Sequence, residues 1–441
     1  MGKRAKNRSA MEDLQGVKYG PGSDLELVID KAVYGGQGLG KLDTVKGRMA
    51  VFVPNALPGQ VVVSRIKKVR KNHIETALVE VLTPSPDEVE RPFQAIPGAP
   101  FARLPIEIQE KYKRENCLDL IRRIGKIHDV ESRFDTFISS PLEWHYRNKM
   151  EYSFAAIRYD FEKKGDVDDF ALGFKHRGTW WMVENLDADS GLFDEQVENE
   201  LKNIRKYCAD TGLPPWHHPG KHGFFRFLTV RKSHAADEIL MNLVTSSEGL
   251  EKFDLQAFTA FLRDIFGERL AGLLHTVNDD IGDRAQPLDG ETSIVFGKDH
   301  ITETLHGLSF DIRMESFFQT NPLCAEKLYA KAIEYLKEGE GNKDLVLDLF
   351  CGTGTIAQMV ATELPDAMVV GVDIENSAIE DARKSGERNG LSNVEFHTSD
   401  VGSFLKDNPD YVGRIDAVVV DPPRAGIAPK TLSKVIELDA G

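Results

Sequence analysis

The chain has 441 residues, of which 41% are hydrophobic, and a formal net charge of −15 at neutral pH. That length accommodates roughly two to four domains, and no apolar run approaches the ~18 residues of a membrane span. The acidic balance argues against blanket nucleic-acid binding, and the four scattered cysteines (Cys117, Cys208, Cys324, Cys351) give neither a disulfide framework nor a ligand-spaced zinc pair.

Charge is distributed unevenly. Residues 1–75 hold 14 Lys+Arg against 7 Asp+Glu, and the densest run is Arg65-Ile-Lys-Lys-Val-Arg-Lys71. Such a run suits a phosphate backbone, although lysines also blunt exposed strand edges. Residues 1–22 read as a basic tail. Met1 to Arg8 has no apolar stretch behind it and is not a secretory signal, so the cytoplasm is the default compartment.

Residues 23–84 read as a small barrel of the oligonucleotide-binding type, with strands at 25–29, 49–53, 60–66 and 75–82 and turn signals at 35–40, 54–55 and 58–59. A proline-rich connection follows at 85–105. Residues 106–318 read as a central α+β domain. It has helical spacing over 106–124, strands at 152–158, 171–174 and 227–231, and a turn-rich insertion at 205–221. A cofactor domain spans 319–441, opening with a helix at 323–336 and a sheet from Leu345.

The stretch Val346-Leu-Asp-Leu-Phe-Cys-Gly-Thr-Gly-Thr355 is an apolar strand that breaks into Gly352 and Gly354 and then opens a helix. Glycines at such a turn let the backbone approach a ligand closely. Asp373 ends the next strand, about 20 residues on, where a carboxylate can grip a ribose. The loop by itself fits any adenosine-bearing cofactor, since Ala357 also completes a dinucleotide-type spacing. Further strands at 393–396 and 415–420 lead into Asp400 and into Asp421-Pro-Pro-Arg424. Strands alternating with helices predict a doubly wound parallel α/β sheet with ligands at the carboxyl ends of its strands. Asp373 would take the ribose hydroxyls and Asp400 the adenine amino group. The rigid Asp421-Pro-Pro turn would lie where the reacting base sits. This is the layout of a class I methyltransferase that uses S-adenosylmethionine. Each aspartate taken singly serves equally well as a helix cap.

Several segments, in this order, resemble the RNA uridine-5-methyltransferase family. They are Tyr34-Gly-Gly-Gln-Gly-Leu-Gly40 and Val53-Pro-Asn-Ala-Leu-Pro-Gly59, similar to the RNA-binding TRAM barrel, then Tyr146-Arg-Asn-Lys149, Leu172-Gly-Phe174, Ser316-Phe-Phe-Gln-Thr-Asn-Pro322 and Asp421-Pro-Pro-Arg-Ala-Gly426. The resemblance implies methylation of carbon 5 of a uridine in ribosomal or transfer RNA, the uridine being single-stranded or flipped from its stack. It implies that Gln319, Phe350, Gly352, Gly354, Thr355, Asp373, Asp400 and Asp421 contact S-adenosylmethionine. Arg65, Lys67, Lys68, Arg70 and Lys71 would track phosphates, with Arg147 and Lys149 holding RNA near the cleft. A monomer is expected.

Two departures from the family stand out. Many members hold an iron–sulfur cluster through cysteines, but Phe93, Ala99 and Ala102 occupy three of those positions here and Asp189 falls near the fourth. Phenyl and methyl groups cannot bind iron, so no cluster or metal is expected, with apolar packing in its place. The family's nucleophilic cysteine, which adds to uridine carbon 6, lies in a Ser-Cys-Asn-Pro turn, with a glutamate base further on. The sequence stops at Leu438-Asp-Ala-Gly441, before either, which implies a C-terminal truncation and an incomplete sheet. Cys351 and Cys324 are expected to be inert and packed. Two alternatives remain open: amino-group methylation, which needs no cysteine, and a non-catalytic RNA-binding protein that retains the cofactor pocket.

Overall fold

Five strands of the computed structural model close into a barrel in the order β3-β4-β5-β7-β6. They are β3 (Asp24–Val33), β4 (Gln37–Thr44), β5 (Gly47–Pro54), β6 (Val61–Val69) and β7 (His73–Thr83), preceded by a two-residue ladder of β1 (Met11–Glu12) and β2 (Lys18–Tyr19). The structure describes residues 11–45, 47–288, 290–339, 343–411, 413–438 and 440. The basic stretch Met1 to Arg8 lies outside them. The described chain divides into two units, residues 11–139, 159–166 and 174–190 forming one and the remainder the other.

In the first unit, alternation of apolar and polar residues builds the barrel. Leu25, Leu27 and Ile29 of β3 and Val62 and Ile66 of β6 point inward onto Val51, Val53 and Ile74, while Arg65, Lys67 and Lys68 point out. Neighbouring strands pair antiparallel except β5 with β7, which run parallel. The sequence reading of 35–40 as one turn is corrected here. The turn spans Tyr34 to Gly36, with Gly35 and Gly36 at positive φ, and Gly38 and Gly40 lie within β4. A Cβ on Gly40 would stand 2.4 Å from Leu27 Cδ1 and 2.6 Å from the Val28 carbonyl oxygen. These glycines mark close strand approach, which a one-dimensional reading takes for turn punctuation.

Beyond the barrel, residues 84–105 form no regular element, and α1 (Ile106–Arg123) follows. The positions that the family resemblance linked to iron–sulfur binding are joined by polar contacts. The Gln94 amide nitrogen donates to the Asp189 carbonyl (2.8 Å), and its side-chain Nε2 donates to the Asn185 carbonyl (2.6 Å). Its Oε1 accepts from the backbone N–H groups of Asp187 (2.9 Å) and Ala188 (3.0 Å). Phe93, Ala99 and Ala102 are only half-buried. The expected apolar plug is therefore a glutamine clasp, because a single amide offers the donors and acceptor that two irregular segments leave unpaired.

The second unit begins with a sheet containing β8 (Lys149–Asp160), β9 (Gly165–Lys175), β11 (Phe225–Lys232), β12 (Ile239–Thr245), β13 (Leu270–Val277) and β14 (Glu291–Gly297), adjacent in the order β9-β8-β11-β12-β13-β14. The far ends of β8 and β9, with β10 (Val183–Asn185), belong to the first unit. Helices α2 (Glu195–Asp210) and α3 (Leu255–Phe266) start at Asp194 and Asp254, whose carboxylates cap the first turns. Residues 205–210, read as part of a turn-rich insertion, are the last turns of α2, and the turns begin at Thr211. The turn residues Gly212, Pro214 and Pro215 lie beyond the end of this amphipathic helix. Strand β12 is buried at all seven positions, which makes it a core strand covered on both faces.

A hairpin of β15 (His300–Leu305) and β16 (Leu308–Arg313) turns at His306 and Gly307, both at positive φ as a two-residue hairpin turn demands. It leads to α4 (Pro322–Glu338), started by Asn321, whose side chain accepts from Cys324 N (3.0 Å). Then come β17 (Leu345–Leu349), α5 (Thr355–Glu363), β18 (Met368–Asp373), α6 (Asn376–Arg388), β19 (Val394–Thr398), α7 (Val401–Asp407), β20 (Ala417–Val420) and α8 (Pro429–Glu437). The four strands are parallel in the order β19-β18-β17-β20. One core packs α4, α5 and α6 against Val346, Val369 and Phe396. The other packs α7 and Leu438 against Leu347, Leu349, Val370 and Val372. Both faces are covered, as a doubly wound α/β sheet requires. The order reverses between β17 and β20, so a crevice opens at their carboxyl ends.

Candidate active site

At this reversal, β17 ends in a strained turn. Phe350 has φ +68°, unusual for an aromatic residue and worth about 1–2 kcal/mol of strain. It is held by two hydrogen bonds, from Phe350 N (2.8 Å) and Cys351 N (3.1 Å), to the Val372 carbonyl of β18. Gly352 and Gly354 follow at φ +55° and +72°, for different reasons. A Cβ on Gly354 would strike the Phe396 ring at 2.5 Å, whereas one on Gly352 would meet nothing within 4 Å. Gly354 therefore serves packing, and Gly352 faces open space that a ligand can occupy. Thr355 opens α5 beside them, nearly buried.

Three carboxylates surround this turn. Asp373 ends β18 and accepts from Gly352 N (2.9 Å) and Glu375 N (2.9 Å), so it already organises the glycine turn. Asp421 follows β20 and is exposed. Asp348, on β17, is 1% exposed and accepts from Ala357 N at 3.0 Å. Its other oxygen has no hydrogen-bond partner among the described residues. Burial, reinforced by the charges of Asp421 and Asp373, pushes the Asp348 carboxyl up to about 7. Tyr329 of α4 is held at about 12 by burial, with Asp421 and Asp348 adding to it, and its hydroxyl meets the Gln319 side chain.

Gln319, Phe350, Gly352, Gly354, Thr355, Asp373 and Asp421 thus lie on the segments that border one crevice. Asp400 stands at the tip of β19, the outer strand, and is the N-cap of α7, accepting from Ser403 N (2.9 Å). Asp348 and Tyr329 carry site electrostatics that the sequence reading left unassigned. A lone aspartate inside the apolar run 345–349 was the available signal for the first, since a charged residue in a buried strand needs a reason. Burial, Asp348 and Asp373 push the Cys351 thiol far above its ordinary range, which makes it a packed group. Cys324 is half-exposed, not buried as expected.

The surroundings of the crevice fit S-adenosylmethionine. Its sulfonium and ammonium charges suit a pocket bordered by three acidic side chains, one with an unpartnered buried oxygen, and Gly352 leaves its backbone open to the ligand. Among the described residues, no cluster of His, Cys, Asp and Glu is placed to hold a metal ion, and no helix is long and apolar enough to cross a membrane.

The basic residues assigned to RNA divide. Arg65 is paired with Asp24 through two contacts (2.7 and 2.9 Å), and Arg70 donates to Glu75 (2.8 Å). Both sit opposite or near their carboxylates on the barrel sheet, in exposed ion pairs of the weak surface kind. Lys67, Lys68 and Lys71 are exposed. Lys149 is half-buried and donates from Nζ to the Met314 carbonyl (3.0 Å). Glu151, two residues on and on the same side of β8, is exposed. Arg147 keeps a buried Nε with no partner among the described residues.

A methyltransferase-domain family model matches residues 341–439. An uncharacterized RNA methyltransferase of Clostridium tetani is 33% identical over 423 residues, covering 95% of this chain and 87% of that protein. Another from Chlorobaculum tepidum is 33% identical over 438 residues, covering 96% of this chain and 87% of its own length. Among solved structures, the tRNA (uracil-54, C5)-methyltransferase of Pyrococcus abyssi in complex with S-adenosyl-L-homocysteine is similar with a TM-score of 0.65 and 25% identity. That similarity covers 93% of this chain and 87% of that one. Fold, crevice and relatives agree, and the chain belongs to the S-adenosylmethionine-dependent RNA methyltransferases.

Proposed function

We propose that this RNA methyltransferase forms 5-methyluridine. The observation that carries the reading is likeness along almost the whole chain, barrel and central sheet included, to a protein that methylates carbon 5 of a uracil in tRNA. A likeness confined to the cofactor domain would leave the target atom open. The resemblance of Ser316 to Pro322 and of Asp421 to Gly426 to the uridine-5 family points the same way.

In this reading Gln319, Phe350, Gly352, Gly354, Thr355, Asp373, Asp400 and Asp421 hold the cofactor. When bound, S-adenosylmethionine supplies a methyl group made electrophilic by its sulfonium sulfur. Asp373 fixes the glycine turn and keeps lone pairs for the ribose hydroxyls. Asp400 has one oxygen engaged in capping α7, so the other is left for the adenine edge. Phe350 offers an aromatic wall, and Pro422 and Pro423 make a stiff rim against which a flipped base rests. The barrel at 23–84 meets RNA through Lys67, Lys68 and Lys71, Arg147 lies toward the base, and the enzyme acts as a monomer. Cys208 and Cys351 are unsuited to a thiolate step, since burial pushes both thiols far up.

The test is deletion of the gene followed by nucleoside mass spectrometry of ribosomal and transfer RNA. Loss of 5-methyluridine at one position is expected. Loss of an N-methylated adenine or guanine would replace this reading with amino-group methylation. An unchanged modification profile would favour a non-catalytic RNA-binding role.

A further inference from the structure

Gln319 lies on an irregular segment, residues 314–321, between β16 and α4. Such a segment cannot satisfy its own carbonyl groups through a ladder. Its carbonyls are instead taken by side chains and backbone of the neighbouring sheet. The Met314 carbonyl accepts from Lys149 Nζ (3.0 Å) and from Arg231 Nε (3.1 Å). Arg231 Nη2 donates to the Ser316 carbonyl. Asn148 Nδ2 donates to the carbonyl of Gln319 itself (2.9 Å), and Asn148 N donates to that of Thr320 (3.0 Å).

The donors form one construction. Lys149 of β8 and Arg231 of β11 are directly paired across the two strands, and Asn148 precedes Lys149. Arg231 is 2% exposed and Asn148 1% exposed. Like charges directly opposite on a sheet destabilise it, and a buried cation demands a partner. The usual answer is a carboxylate. Here the exposed Glu315 attracts both cations through space, as Glu151 does Lys149, but among the described residues neither cation is hydrogen-bonded to Glu315. Burial lowers both cations from their ordinary values, with Arg231 at about 10. Two adjacent cations, one buried and one half-buried, spent on backbone carbonyls are a poor stability device and a stringent orienting one. The planar fork of Arg231 fixes two carbonyls, at 314 and 316, at once.

We infer that Arg231, Lys149 and Asn148 are positioning residues, which set the Gln319 side chain at the cofactor crevice from the central sheet. The inference rests on the reading that Gln319 contacts the cofactor. Through these contacts, the place of Gln319 is dictated by a layer separate from the methyltransferase sheet.

The test is a double-mutant cycle on the full chain, with S-adenosyl-L-homocysteine affinity measured by calorimetry. Gln319→Ala and Arg231→Met are each expected to weaken binding about tenfold, the scale of one lost charge-assisted or buried hydrogen bond. Arg231→Lys, which keeps one donor, should restore part of it. In the Gln319→Ala background, Arg231→Met should change affinity less than twofold. An equal loss in both backgrounds overturns the inference, because the arginine would then act on the fold and not through Gln319. No loss from Gln319→Ala overturns the cofactor-contact reading instead. If Arg231→Met does not fold, the same cycle run with Lys149→Met decides, and additivity there likewise overturns the inference.

Discussion

Replacing Asp348 by asparagine should make the protein more stable at pH 8 and less so at pH 5. Asp348 is fully buried, with one oxygen on Ala357 N and the other unpartnered. Its carboxyl titrates near 3.8 in the unfolded chain and at about 7 in the folded protein. Between those values the unfolded state has released a proton that the folded state retains. Stability therefore falls with rising pH across this window, by about 1.4 kcal/mol per pH unit and about 4 kcal/mol in all. Below pH 4 the group costs nothing, and above pH 7 its full ionisation penalty is present. Asparagine accepts from Ala357 N but leaves amide hydrogens without partners, which costs about 1–3 kcal/mol at every pH. The net change at pH 8 is then a gain of about 1–3 kcal/mol, turning to a loss near pH 5. Thermal melts of wild type and Asp348→Asn at pH 5, 6.5 and 8 measure it. The difference in melting temperature should rise steadily with pH and change sign. A difference that stays constant from pH 5 to 8 refutes the assignment of a raised carboxyl to Asp348. A cationic ligand favours the ionised carboxylate, so S-adenosylmethionine affinity by calorimetry should rise from pH 6 to pH 8 in wild type and flatten in the variant.

Other expectations follow from particular contacts. Gly354→Ala places a Cβ 2.5 Å from the Phe396 ring at φ +72°. It should destabilise by about 2–4 kcal/mol, left-handed strain plus overpacking, read as a lowered melting temperature. Gly352→Ala, which meets only open space, should destabilise by about 1 kcal/mol yet weaken S-adenosyl-L-homocysteine binding more than Gly354→Ala does, as calorimetry will show. Changing Lys67, Lys68 and Lys71 together to alanine should reduce the salt dependence of RNA binding, the slope of log affinity against log salt becoming shallower by about 2–3. Filter binding from 50 to 200 mM salt measures this, and an unchanged slope removes the barrel from the phosphate path. Maleimide labelling of the native protein should modify the exposed Cys117 first and leave the buried Cys208 intact, as peptide mass mapping will report.

Local pattern carried far in this protein because its informative residues serve local steric needs. An apolar run breaking into Gly352 and Gly354 announces a strand-to-helix turn, and β17 and α5 form there. Alternation in 60–66 fixes which side chains of β6 face the barrel. Successive strand–helix repeats from 345 to 420 dictate a parallel doubly wound sheet, because parallel strands need crossovers. Each of these depends on neighbours in sequence. Tertiary structure decided whatever depends on partners distant in the chain. Gly38 and Gly40 looked like turn residues until Leu27, Ile29 and Ala56 came within reach of their missing side chains. Arg65, Arg70 and Lys149 were indistinguishable from Lys67, Lys68 and Lys71 in a list of basic residues. Pairing with Asp24, with Glu75 and with a buried carbonyl separated them. Asp348 gained its raised carboxyl when packing of the sheet buried it, with Asp421 and Asp373 adding to the shift, since burial and electrostatic coupling depend on distance in space and not along the chain.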